Sequence, residues 1–238
     1  MKTSRPAMVR VGGWSLIVGA LLFVAVFSYL ASEFDYPDVL DGPAMEVLPN
    51  LRRGGPLMRA VWALYSLLPL AFIPAGAGSY LALRRGGEGR MLVAFCAALV
   101  VAVAMPVGLM RWPSVHWALA GAFETAGPDA RTAIAATFDG LNLYLGQFIG
   151  EFLGEMAMAT FFLLSALSAR SRGGFPVWFN VGGIVASACF FVGALRNLTT
   201  AVSVVADLNN MLIPAWMIAF GAGLIRFAKQ IPAGGPTR

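Results

Sequence analysis

Charge is scarce in this chain. Of its 238 residues, 12% are Asp, Glu, Lys or Arg, half the roughly 25% of an ordinary soluble domain. Histidine is nearly absent: His116 is the only one. That excludes a haem held by two histidines of one chain, and with two cysteines set in other segments it excludes a zinc site. Cys96 and Cys189 each sit inside an apolar run with no CxxC spacing, so they read as small packing residues and not as a disulfide or metal pair. HExxH, GxSxG and Walker A patterns are missing too, and the glycine pairs of RRGGEGR and SRGGF read as turns. No cofactor and no metal are expected.

What fills the chain is apolar. Hydrophobic residues make up 58% and the mean hydropathy is +0.74. A membrane span needs roughly 20 apolar residues, and six runs qualify, at about 13–31, 57–83, 91–110, 140–167, 176–195 and 211–227. The expected fold is all-α, a polytopic bundle of about six transmembrane helices forming a single integral membrane domain over 1–238. The first run follows a basic segment, as a signal peptide does, but it is long for one and carries Tyr29 where a cleavage site wants a small residue. It reads as a retained helix. The acidic segment 32–56 reads as a loop with at most a turn of helix. Pro69 and Pro74 predict a kink in the second span. The stretch 111–139 reads as two short amphipathic helices, 115–123 and 130–138, the second leading straight into the fourth span, with Trp112, His116 and Trp117 at the interface.

The net charge is +5, but the basic residues lie between apolar runs and interleave with no aromatic surface, so nucleic acid is not a partner. They set orientation instead. One side collects Lys2, Arg5, Arg10, Arg84, Arg85, Arg90, Arg170, Arg172, Arg226, Lys229 and Arg238; the other holds Arg52, Arg53, Arg59, Arg111, Arg131 and Arg196. Eleven against six of the 17 puts both termini in the cytoplasm of a bacterial inner membrane.

The sharpest local pattern is GQFIGEFLGEMAM in the fourth span. Gly146, Gly150 and Gly154 recur every four residues, and beside them run Gln147, Glu151 and Glu155. Four residues make about 400° of α-helix, so each set forms one drifting ridge. The glycine ridge reads as a seam where two helices approach closely. The glutamates cost roughly 2.5–3.5 kcal/mol each at mid-membrane, so they need protons, partners or a polar cavity. Arg111, Arg196, Asn209, Asn210, Asn142 and Arg59 share their half of the bundle. That predicts a polar outer-half cavity with Glu151 and Glu155 as its floor. Three uses fit it: a structural ion-pair network, a pocket for a ligand or lipid headgroup, and a proton or cation path.

The order of features resembles a known family: a basic N-terminus, a first span, an acidic loop, then LNLYLGQFIGEFLGEM, RSRGGFPVW and NVGGIVASACFFVGAL. Over about Val9 to Phe227 the chain is similar to the bacterial six-span membrane proteins grouped as domain of unknown function 4386 (DUF4386). That resemblance implies a membrane fold and location. The family has no assigned activity, so no site residue follows from it. The residues favour a non-catalytic membrane protein that binds a lipid, a small amphiphile or a partner protein, which includes a second copy of itself. A proton- or cation-coupled transporter using Glu151 and Glu155 is the alternative. An intramembrane enzyme comes last, because no nucleophile–base pair is visible.

Overall fold

A computed structural model describes residues 5–231; Lys2 and Arg238 of the charge count lie outside them. The described residues are helical throughout, with no strand. Six helical stretches are long and apolar enough to cross a membrane: Arg5–Phe34, Gly55–Gly86, Glu88–Thr125, Pro128–Arg172, Val177–Asn197 and Thr200–Ala228. Each packs on the next in the chain, and the first packs on the sixth. The result is an up-and-down ring. We call the end that holds residues 5 and 231 the terminal end and the other the cap end.

Lengths differ from the sequence expectation in an instructive way. Hydrocarbon about 30 Å thick is crossed by roughly 20 residues. The third and fourth spans have 38 and 45 residues, about 57 and 68 Å of helix at 1.5 Å per residue. They are therefore longer than one crossing needs, and their surplus at the cap end pairs as a hairpin. The two expected short helices are there, as Trp117–Thr125 and Pro128–Leu141; the second leads straight into the fourth span as expected, and the first continues the third. The acidic segment is also more ordered than a loop: it forms a short 3-10 turn, Asp38–Asp41, and a helix, Ala44–Arg53, which packs on the hairpin. Together these elements build a cap.

The cap has its own core. Trp62 stacks on Trp112 at 4.7 Å, and Phe34 meets Trp112 edge-on at 5.5 Å. Leu48, Leu51 and Phe138 are buried with them. His116 belongs here, which corrects its reading as an interfacial hydrogen-bonding residue. It is fully buried, neither ring nitrogen has a hydrogen-bond partner among the described residues, and its ring centroid lies 4.4 Å from that of Phe138 and 4.9 Å from that of Trp112. The physical reason is that the hairpin carries it into a packed core and not to the lipid boundary. Trp112 is buried likewise. Cys96 is exposed on the ring's outer surface, so it faces lipid instead of packing.

A second core fills the ring's terminal half. Phe72, Phe161, Phe162 and Phe220 converge there, with Phe162 and Phe220 centroids 5.3 Å apart. Glycines let the first and sixth spans touch: a Cβ on Gly13 would lie 2.6 Å from the Gly221 carbonyl oxygen. The second span breaks into a 3-10 turn at Leu68–Ala71. Pro69 and Pro74 lack the N–H groups that the carbonyls of Tyr65 and Leu70 would otherwise accept from.

Replacing Gly13 by valine is expected to cost about 1–3 kcal/mol by overpacking this crossing. Gly121→Ala meets nothing within 4 Å and is expected to stabilise its helix by roughly 0.5–1 kcal/mol. Thermal unfolding in detergent distinguishes the two.

Candidate functional site

The ring is filled in its terminal half and open in its cap half. There a cavity of about 130 Å³ lies among the first, second, third, fourth and sixth spans, with Arg196 of the fifth at its side. Its floor and one wall are apolar: Phe23, Phe72, Met105, Met158, Ile213 and Met217. Tyr36 and Leu40 of the cap roof it, and the hydroxyls of Tyr36 and Tyr65 sit 3.1 Å apart at its edge.

The remaining lining is charged or amidic: Arg111, Glu151, Glu155, Arg196 and Asn210. Arg196 Nη2 lies 2.7 Å from Glu151 Oε2 and 3.9 Å from Glu155 Oε1. The three side chains are 24%, 18% and 12% exposed in turn, so desolvation makes the pairing necessary. Arg196 ends the fifth span, which fixes depth. Glu151 lies toward the cap end with it, and Glu155 is four residues nearer the terminal end.

Arg111 holds the opposite wall. Its Nε donates to Asn142 Oδ1 at 3.0 Å and its Nη1 to the Gly108 carbonyl at 2.6 Å. Asn142 Nδ2 in turn donates to the Leu40 carbonyl at 2.7 Å. This chain of bonds ties the third span, the fourth span and the cap. Arg111 is 3% exposed, and its guanidinium occupies the space where Gly146 would carry a Cβ. A larger residue at 146 therefore has no room.

The glycine ridge faces the third span. A Cβ on Gly150 would come within 2.9 Å of Gly108 Cα, and one on Gly154 within 2.7 Å of Met105 Cγ. Its helix is not the expected α-helix. Asn142–Leu153 forms i→i+5 hydrogen bonds, as does Trp112–His116 across from it. The wider turn keeps residues four apart from overshooting a full turn, so Gly146 and Gly150 stay on one face. Such bulges gather at functional sites.

Two of the sequence candidates lie elsewhere. Gln147 donates to Asp41 Oδ1 at 3.2 Å on an exposed face, and Asn209 donates to the Cys189 carbonyl against the fifth span. Arg59 is outside too, over the Trp117 ring at 5.4 Å. The sequence reading missed Tyr36 and Tyr65, because neither stands in a pattern and only the cap's fold brings them to the ring.

Arg196→Gln is expected to cost about 3 kcal/mol because it strands two carboxylates. Glu155→Gln leaves the short Glu151–Arg196 pair intact and is expected to cost about 1 kcal/mol or less. Replacing all three by glutamine should recover much of the Arg196→Gln loss, and denaturation of the four proteins in one detergent checks the order.

No curated protein and no solved structure matches the chain. The family described as Domain of unknown function (DUF4386) matches residues 11–226, a stretch that takes in all six spans, the cap and every residue of the cavity. The chain belongs to that family.

Proposed function

We propose that this integral membrane protein binds a small amphiphile, a lipid or a lipid-like molecule, in the cap-half cavity. The observation that carries the reading is the cavity's two-sided wall in the cap half of the ring. Apolar side chains lie below and a charged belt above, which suits a molecule with both characters. Access from the bilayer fits the exposure pattern. The cap roofs the aqueous end with Tyr36 and Leu40 over a stacked aromatic core, while Glu151, Arg196 and Asn210 are half-buried beside the lipid-facing residues Leu208 and Met211. A purely structural ion-pair network leaves no reason for an open space beside it.

Passage through the ring has less support. A proton- or cation-coupled carrier needs a path across the terminal half, where Phe72, Phe161, Phe162 and Phe220 fill the centre. We place both termini in the cytoplasm of a bacterial inner membrane. Among the described residues the terminal end carries nine Lys and Arg against six toward the cap, and every acidic residue except Glu88 lies in the cap half. The basic residues are the ones that set orientation.

Native mass spectrometry of protein released from its own membranes tests the binding reading. The wild type should retain a small mass. Ile213→Trp, which fills the cavity, should lose it while keeping its unfolding temperature. A wild type without adduct would count against the reading. A fluorescent reporter fused at the C-terminus should light up, and one active only outside the cytoplasm should stay silent.

A further inference from the structure

The charge pattern of the cavity specifies what its occupant carries. On one wall a single guanidinium, Arg196, faces two carboxylates, and Glu151 takes the short contact at 2.7 Å. Glu155 is left with the 3.9 Å contact. It is 9% exposed, and among the described residues it accepts no hydrogen bond. On the other wall, among the described residues, Arg111 donates only to the neutral oxygens of Asn142 and Gly108, and its Nη2 is buried without a hydrogen-bond partner. No carboxylate lies within 4 Å of Arg111 among the described residues.

The same small space therefore has one carboxylate lacking a donor and one guanidinium lacking an anion. A buried charge of either sign calls for a counter-group. Arg111 sits against Gly146, nine residues before Glu155, so the two sites are no more than about 13 Å apart along the helix, less the inward reach of both side chains.

We infer that the cavity takes a zwitterionic group, with its ammonium at Glu155 and its phosphate or carboxylate at Arg111. This rests on the amphiphile-binding reading and sharpens it. Two sources offer the chemistry: the headgroup of a zwitterionic lipid and a free small zwitterion. The partly exposed Glu151–Arg196 pair beside outward-facing Leu208 and Met211 favours the lipid, whose chains stay in the bilayer while its headgroup turns inward. At about 130 Å³ the cavity is a little smaller than one of about 150 Å³ that holds benzene, so acyl chains stay outside it and a phosphoethanolamine enters only if the partly exposed side opens.

The test titrates purified protein with short-chain phosphatidylethanolamine, short-chain phosphatidylglycerol and free glycerophosphoethanolamine, and counts bound copies by native mass spectrometry. Wild type should hold the ethanolamine lipid about tenfold or more tighter than the glycerol lipid, the size of one charge-assisted hydrogen bond. Glu155→Gln keeps the side-chain shape and should abolish that preference while leaving the glycerol lipid unchanged. Gly146→Ala, which crowds the Arg111 guanidinium, should weaken both lipids together. Equal retention of the two lipids, unaltered by Glu155→Gln, would overturn the zwitterion and leave an amphiphile site standing. Glycerophosphoethanolamine binding as tightly as the lipid would overturn the lipid source. Retention of no lipid by the wild type, with Ile213→Trp indistinguishable from it, would overturn the site itself.

Discussion

A guanidinium buried where water does not reach must find its partners inside the protein, and Arg111 organises its surroundings by that demand. It takes the Gly108 carbonyl from its own helix and the Asn142 side chain from the next. Asn142 passes the connection to the Leu40 carbonyl of the cap. The space it needs is the space a side chain at 146 would fill. The small residue at 146, the amide at 142 and the turn of cap over the ring are thus answers to one problem. The two stretches of widened helix, Trp112–His116 and Asn142–Leu153, begin on either side of this bond.

The protein solves two solvation problems with one chain. Inside the bilayer the ring is lined with small residues and phenylalanines, and its outer surface is left to lipid. Toward the cap end, the prolonged third and fourth helices and the 34–56 link bury tryptophans, leucines and His116 as a water-soluble domain would. The cavity lies at the junction. Packing on the terminal side is all apolar, packing on the cap side is aromatic, and the charged belt occupies the level between them.

Much of this was legible in the sequence. Six apolar runs and two arginine-rich turns suffice for the ring, because burial in lipid leaves few alternatives. The four-residue recurrence of glycine and glutamate marked the face of the fourth helix that matters, since only packing or a partner explains such residues there. What was not legible has physical causes too. The cap depends on contacts between segments up to 106 residues apart, as between Asp41 and Gln147, and no local pattern encodes them. The extension of the third span through Trp117–Thr125 was hidden because that stretch is amphipathic, a character shared by helices on a membrane and helices on a protein. The widened turn leaves no mark in periodicity over a single stretch. Gln147 followed the glutamates in spacing and parted from them in space, because the acidic turn at Asp41 offered it an acceptor.

The cap also has a consequence in time. Its first half, Val39, Leu40, Ala44, Val47, Leu48 and Leu51, lies between the first two spans and is synthesised early. The residues it packs on, Trp112, Ala120, Phe123 and Phe138, come after two further membrane crossings. Chains are made from the N-terminus onward at about 5–20 residues per second, so roughly 100 residues separate the Leu40 carbonyl from the Asn142 amide that caps it. For several seconds the link is a greasy, unpartnered segment at the membrane surface. Closure of the roof over the cavity is then a late step of assembly, completed only when the fourth helix is in place.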